Sequence, residues 1–291
     1  MHKVFSILLI AVVLLTVPGC WDVEDMRNRT FITAIGIDAA QGPAAPKYKV
    51  TFEALRPSGV RPDSQTAGNL IQTLEADSIS MAIEQLQARF ARPTTLSHLT
   101  VIVIGEEKAK EDFQDIADYF SRHPEVQKRI RLMFVQQGEA MDLLKTQPLF
   151  ERYLAAELVT MAHLEPQQSI IKTNPFIEFL LDLRTNEGKA LASRILVAEG
   201  DIPIRHGAAV FKQWKLAGWL SSSETQAANW IVGDIEGTVE SESNDGLFTY
   251  FVKKKSVRIL PDTGSGDIRF TIKPEFPRFY TYAGGSTPSS R

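Results

Sequence analysis

The chain has one cysteine, and its position limits the architectures open to the rest of the sequence. Cys20 is the only cysteine among 291 residues and directly follows Gly19 at the end of an apolar leader. The apolar run from Val4 to Val17 is shorter than the roughly 20 residues that a membrane-spanning helix needs. Its length and the preceding Lys3 are typical of a secretory leader rather than of a membrane span.

A small residue before a lone cysteine at the end of such a leader is the pattern of a bacterial lipoprotein processing site. There the thiol takes a diacylglyceryl group, the leader is removed, and the cysteine becomes the acylated N-terminus, which can also carry palmitate. We therefore predict a signal peptide over residues 1–19 and lipid attachment at Cys20. Two acyl chains anchor a protein firmly. The alternative is an ordinary secretory leader in which Cys20 is incidental.

The composition agrees with a folded body held at a membrane by that anchor. Hydrophobic residues make up 44% of the chain and charged residues 23%, as in folded soluble proteins. The net charge is −3 and there is no basic block, which argues against a nucleic-acid partner. With Cys20 acylated, no disulfide bond and no cysteine metal site is possible.

Apolar periodicity predicts alternating strands and helices between residues 20 and 200. Alternation over 31–38 and 48–55 predicts a β-hairpin, and the run 99–104, apolar on both faces, predicts a central strand. We expect Asn174 to be an N-cap and Pro175 the first residue of its helix. Further strands are predicted at 130–135 and 192–197, and helices at 69–91, 106–120, 139–145, 151–162 and 176–183.

From residue 201 onward the pattern is mainly that of strands. Ser221 and Glu224 have capping-box spacing and predict a short helix through Trp230. Strands are predicted at 208–211, 216–220, 233–240, 247–254, 257–260 and 268–273.

These patterns predict an α+β protein with two domains. We expect a mixed helix and sheet domain over 20–200 and a mainly antiparallel β domain over 201–273 that looks incomplete. An irregular tail follows over 274–291, where proline, glycine and serine are frequent.

No pattern in the sequence predicts catalysis. There is no H-E-x-x-H, G-x-S-x-G, P-loop or G-x-G-x-x-G motif. His98, His123, His163 and His206 are scattered, and none has a second ligand at metal-binding spacing. We predict that the protein is not an enzyme, with no catalytic residue, no metal and no cofactor beyond the lipid on Cys20.

Several segments, taken in order, resemble the Ger(x)C family of spore germination lipoproteins. The N-terminal stretch Gly19-Cys20-Trp21-Asp22, with Glu24 behind it, is similar to the start of that family. The similarity continues through 35–38, 96–106, 207–212, 216–220 and 224–225, and it covers nearly all of the chain from Cys20 to about residue 273.

The resemblance implies a C subunit of a nutrient germinant receptor, required for the germination of bacterial spores in response to nutrients. Such a subunit is not known as an enzyme and works beside two integral membrane subunits, A and B. The resemblance also implies a lipid anchor at Cys20 on the outer face of the spore inner membrane. Family members continue past Lys273, so we expect this sequence to lack the last part of the C-terminal domain.

A second reading of the chain is a solute-binding lipoprotein that serves a membrane transporter. It shares the anchor. The strand-rich second half argues against it, because such proteins are usually built from two similar α/β lobes.

Overall fold

The fold is described from a computed structural model of the chain. It describes residues 29–42, 45–55, 69–163, 171–172, 175–197, 203–232, 237–243, 246–252, 254–261 and 268–275. Side chains are described up to Ile231, except those of His163 and of residues 203–206. The predicted signal peptide, Cys20, Asn174 and the side chains of His163 and His206 lie outside this part of the chain.

The described residues form thirteen strands and seven helices. The strands are β1 (Thr30–Ala39), β2 (Tyr48–Leu55), β3 (Leu70–Ala76), β4 (Thr94–Thr95), β5 (Val101–Ile104), β6 (Arg131–Val135), β7 (Lys189–Val197), β8 (Pro203–Lys212), β9 (Lys215–Leu220), β10 (Gly237–Ser243), β11 (Gly246–Val252), β12 (Lys254–Pro261) and β13 (Ile268–Glu275). The helices are α1 (Ile79–Phe90), α2 (Glu106–Lys110), α3 (Gln114–Arg122), α4 (Ala140–Lys145), α5 (Leu154–His163), α6 (Phe176–Thr185) and α7 (Ser222–Val232).

Strands β1 to β9 form one mixed sheet. Eight of them follow the order β3-β2-β1-β5-β6-β7-β8-β9, and the short β4 pairs with the start of β1. The central strands β1, β5, β6 and β7 are parallel, and antiparallel pairs flank them on both sides. Two separate antiparallel ribbons, β10–β11 and β12–β13, follow. The α+β fold class predicted from the sequence is confirmed.

Helices cover both faces of this sheet. Apolar residues of α1, α3 and α6 pack on one face, and those of α4 and α5 pack on the other. All four residues of β5 are fully buried, alternating between the two cores, which confirms the predicted central strand. The predicted hairpin is confirmed as well, since β1 and β2 pair antiparallel along nearly their whole length.

An aromatic cluster ties the first core to the strands after residue 200. Phe113 packs edge-on against Phe134, Phe211 and Trp214, with ring centroids 5.7, 5.3 and 5.7 Å away. Phe179 stacks on the same ring at 6.1 Å. The cluster therefore joins α3, β6, α6 and the β8–β9 hairpin.

The predicted helix over 69–91 is wrong in its first third. Residues 70–76 form β3, which pairs antiparallel with β2, and α1 begins only at Ile79. The side chain of Ser78 accepts a hydrogen bond from the backbone N–H of Met81 at 3.2 Å and so marks the true start. The residues at helical spacing all lie within α1, and the prediction extended too far toward the N-terminus, where pairing with β2 determines the structure of residues 70–76.

The predicted helix over 106–120 is interrupted, because α2 ends at Lys110 and α3 begins at Gln114. The backbone N–H of Phe113 donates to the carbonyl of Trp214 at 3.3 Å, a bond that a continuous helix would prevent.

At α6, Pro175 is the N-cap and Phe176 the first helical residue, one position later than predicted.

The capping box before α7 is confirmed. The backbone N–H of Ser221 donates to Oε2 of Glu224 at 2.8 Å, and the N–H of Glu224 donates to Oγ of Ser221 at 3.3 Å.

The predicted boundary at residue 200 falls between β7 and β8, which are neighbours in the large sheet. The division into domains stays a prediction.

Candidate functional site

A cleft opens at the carboxyl ends of the parallel strands, where the chain changes direction. Strands β1 and β5 are neighbours, but the chain continues from β1 to β2 on one side and from β5 to β6 on the other. Ligands of open α/β sheets bind at such switch points. The cleft has a volume of about 250 Å³ and is lined by Asp38, Ala39, Gln41, Glu106, Glu107, Lys108, Gln137, Gly138 and Glu139.

Asp38 forms the buried floor of the cleft and is only 2% exposed. Its two carboxylate oxygens accept hydrogen bonds from the backbone N–H groups of Ala140, at 2.7 Å, and Met141, at 2.9 Å, at the start of α4. Burial raises the pKa of Asp38 to about 6, against the opposing effect of these hydrogen bonds. Gly105 makes room for this carboxylate, because a Cβ there would lie 2.0 Å from Oδ1 of Asp38.

Glu106 links the cleft wall to the second half of the sequence. Its carboxylate accepts hydrogen bonds from the backbone N–H of Gln137 and from Nε1 of Trp219, the latter at 3.5 Å, and it lies 3.2 Å from Nζ of Lys110. Burial raises the pKa of Glu106, but the hydrogen bonds from Gln137 and Lys110 outweigh it and hold the pKa below its usual value. Gln137 has a positive φ of 57°, which aims its N–H at this carboxylate.

The remaining charges of the cleft are paired within the protein. Glu107 lies 2.7 Å from Nζ of Lys110, and Glu139 pairs with Lys49. Lys108 is 1% exposed, and its ammonium contacts Glu111 at 2.7 Å while lying over the ring of Tyr48. The cleft wall thus offers hydrogen-bond acceptors whose charges are already compensated, and its lining contains no serine, threonine, cysteine or histidine side chain.

A second buried carboxylate, Glu53 on β2, was missed by the sequence analysis. It is fully buried and accepts hydrogen bonds from the backbone N–H groups of Leu154 and Ala155, at 2.7 and 3.0 Å, and from the hydroxyl of Thr33 at 2.7 Å. The amide of Asn69 also donates to it. The alternating pattern of β2 puts Glu53 on the face opposite its apolar residues, where a solvent-exposed side chain is the usual expectation. The carboxylate is buried because helix α5, about 100 residues later in the sequence, packs over it.

An exposed apolar tip lies between α4 and α5. Leu149 is 57% exposed and Phe150 is 92% exposed. The backbone behind them is fixed, because the buried carboxylate of Glu157 accepts from the N–H groups of Phe150 and Glu151 at 2.9 and 3.1 Å. The sequence analysis did not single out these residues.

The histidines make local contacts where the structure describes their side chains. The ring of His98 packs edge-on against Phe31 at 4.8 Å, and Nδ1 of His123 accepts from the N–H of Glu125 at 3.3 Å. His163 is the last residue of α5. In the described part of the chain, no group of three or more histidine, aspartate or glutamate side chains is placed to hold a metal ion.

None of the helices that the structure describes is both long and apolar enough to cross a bilayer. The mixed sheet, with helices packed on both of its faces, places the protein in the α+β class.

Comparison with known proteins identifies the family. Residues 22–197 match the model of the spore germination protein N-terminal domain. Residues 206–276 match the model of the spore germination B3/GerAC-like C-terminal domain. These matches cover most of the sequence, so the chain belongs to the GerAC family of spore germination proteins, and the resemblance seen in the sequence is confirmed.

Individual relatives are distant in sequence but similar over most of their length. Spore germination protein B3 of Bacillus subtilis (strain 168) is 25% identical over 279 residues, which cover 89% of this chain and 70% of that protein. Spore germination protein KC of the same organism is 23% identical over 257 residues, 80% of this chain and 62% of that protein. The crystal structure of the GerBC protein aligns with 89% of this chain and 76% of its own, at 20% identity and a TM-score of 0.42.

Proposed function

We propose that this protein is the C subunit of a nutrient germinant receptor, which acts in spore germination without catalysing a reaction. In this proposal it is held by a lipid on Cys20 at the outer face of the spore inner membrane, beside the integral membrane subunits A and B. The observation that carries the proposal is the match to both GerAC-type domains, in order, over residues 22–197 and 206–276. The relatives B3 and KC, both named as spore germination proteins, support the same role.

The sequence around Cys20 supports the anchor. Cys20 lies two residues before the first residue of the N-terminal family match and directly after the apolar leader. An anchor confines the domain to a thin layer beside membrane partners, which raises its effective concentration there. A modest interface with subunits A and B is then sufficient for stable assembly.

The character of the cleft supports a role in assembly or signal transmission. Asp38 on β1 accepts hydrogen bonds from the start of α4, and Glu106 on α2 accepts one from Gln137 in the turn after β6. Because the carboxylates of Asp38 and Glu106 each connect two elements, a movement of α2 or α4 is passed on to the element at the other end of the hydrogen bond.

The proposal is tested by complementation in spores whose only nutrient receptor contains this subunit. We expect deletion of the gene to abolish nutrient-triggered germination and the wild-type chain to restore it. Cys20→Ala should abolish palmitate labelling, release the protein from the membrane fraction and reduce germination at least tenfold. A Cys20→Ala chain fused to a foreign N-terminal membrane helix is the control, since it restores tethering without lipid.

Two results would contradict the proposal. Normal germination in the deletion strain would exclude the receptor role. Full membrane retention and palmitate labelling of the Cys20→Ala chain would exclude the anchor while leaving the family role in place.

A further inference from the structure

The Leu149–Phe150 tip is an exposed apolar segment between α4 and α5. Large side chains with exposed fractions of 57% and 92% are costly to leave in water, and both lie in consecutive positions. The tip is not a loosely held loop, because Glu157 fixes its backbone and Glu53 fixes the start of the following helix. A rigid apolar projection is a typical contact element for another surface.

The tip lies at the end of the sheet from which the chain leads back to Cys20. Glu53 joins the hydroxyl of Thr33 on β1 to the backbone N–H of Leu154, the first residue of α5 and the fourth residue after Phe150. Thr33 is three residues from the start of β1, a distance of about 10 Å along a strand. The nine residue steps from Arg29 back to Cys20 reach at most about 30 Å. An anchor at Cys20 therefore keeps this end of the protein close to the membrane surface.

The cleft lies toward the other end of β1. Asp38, on its floor, is five residues beyond Thr33, which corresponds to about 17 Å along the strand. The tip and the cleft are thus separated along the strand direction.

The charges around the tip fit an anionic lipid surface. Lys145 and Arg152 flank it, and both are exposed. Glu151 also lies beside the tip and is exposed, so two positive charges and one negative charge surround the tip; the carboxylate of Glu151 accepts a hydrogen bond from the hydroxyl of Thr160 at 3.1 Å. Phe and Leu side chains beside Lys and Arg are typical of segments that lie at the boundary between headgroups and acyl chains.

We propose that the Leu149–Phe150 tip inserts into the outer surface of the lipid bilayer as a second, non-covalent contact beside the anchor. The inference rests on the proposed lipidation of Cys20, because two apolar side chains alone are too small to hold a protein at a membrane. Together the two contacts fix the orientation of the domain, with the cleft turned away from the bilayer. Lys145 and Arg152 attract the headgroups on either side of the tip.

The sole cysteine of the chain makes a direct test possible, because Cys20 is blocked once it is acylated. The full chain with Phe150→Cys is expressed with its leader, labelled at the new thiol with a polarity-sensitive fluorophore, and reconstituted into vesicles of phosphatidylethanolamine and phosphatidylglycerol. The control is Leu181→Cys, whose side chain is 50% exposed on α6. Leu149→Cys is a second probe of the tip. Nitroxide groups on the acyl chains quench only fluorophores that enter the bilayer.

We expect the labels at positions 149 and 150 to be quenched at least threefold more strongly than the label at 181, with blue-shifted emission. Flotation of the same vesicles reports the anchor separately. Vesicles that float with the protein but show equal, weak quenching at all three positions overturn the inference and leave the anchor intact. Protection of position 150 only after subunits A and B are added overturns it in favour of a protein contact. Protein that does not float overturns the anchor and the inference together.

Discussion

Two buried carboxylates act as helix caps that come from distant parts of the sequence. Asp38 caps α4 from β1, and Glu53 caps α5 from β2, each about 100 residues away along the chain. A carboxylate at a helix N-terminus satisfies free N–H groups and interacts favourably with the helix dipole. Burial opposes this gain, and at Asp38 burial prevails, since the pKa rises to about 6.

The raised pKa of Asp38 predicts a pH dependence of folding. The folded protein binds this proton more tightly than the unfolded chain does, so the contribution of Asp38 to the free energy of unfolding should fall as pH rises from about 4 to about 6. The change from the ordinary pKa of 3.8 to about 6 corresponds to about 2–3 kcal/mol. Glu139 and Lys49 face the same carboxyl group, and they raise and lower its pKa respectively.

Urea unfolding of the wild type and of Asp38→Asn between pH 4 and 7 tests this expectation. The stability of the variant relative to wild type should increase with pH, since the variant lacks the titrating group. Asp142→Asn, an exposed position in α4, is the control and should follow the wild-type profile. Parallel profiles for Asp38→Asn and the wild type would show that Asp38 does not titrate in this range.

At the scale of elements, helix α5 depends on Glu53 for its position as well as for its cap. The same carboxylate holds Thr33 on β1, so it joins two neighbouring strands to the helix that covers them. Helix α7, by contrast, is capped by Ser221 and Glu224 within its own sequence. The local cap was predictable from the sequence, whereas the long-range cap was not, because its partners are about 100 residues apart.

Removal of the Glu53 carboxylate should destabilise the protein strongly. Glu53→Ala leaves two backbone N–H groups without an acceptor in a fully buried site, while the Thr33 hydroxyl keeps the backbone carbonyl of residue 53 as its acceptor. We expect a loss of about 2–4 kcal/mol. Glu53→Gln keeps one acceptor oxygen and should lose less. Both are measured by urea unfolding beside Glu75→Ala, an exposed position on the adjacent strand β3, which should stay within about 0.5 kcal/mol of wild type. Equal stabilities for Glu53→Ala and Glu75→Ala would contradict the capping role.

Across the whole molecule, the elements with strong local signals were predictable and those set by tertiary contacts were not. Alternation located β1 and β2, and the two-sided apolar run located β5. The strand β3 was mistaken for helix, because its identity depends on pairing with β2. The cleft was not predicted either, since it arises from three strand ends that only the sheet order β1-β5-β6 brings together.

The sheet also joins regions that match two different family models. The N-terminal match ends at residue 197 and the C-terminal match begins at 206, yet β7 and β8 pair antiparallel across this point. Phe211, in β8, lies with its ring centroid 4.4 Å from that of Phe134 in β6. The first region therefore relies on β8 and β9 to complete its aromatic core.

This dependence predicts how shortened chains behave. A chain of residues 21–200 lacks Phe211 and Trp214 and exposes the rings of Phe113, Phe134 and Phe179. We expect it to melt without a cooperative transition and to bind the hydrophobic dye ANS, as proteins do when specific core packing is lost. A chain of residues 21–232 keeps β8, β9 and α7 and should melt cooperatively, which thermal scans followed by near-ultraviolet circular dichroism would show. Cooperative melting of the 21–200 chain, with the same midpoint temperature as the 21–232 chain, would contradict this. It would mean that the core is complete without β8 and β9 and that the pairing of β7 with β8 adds no stability.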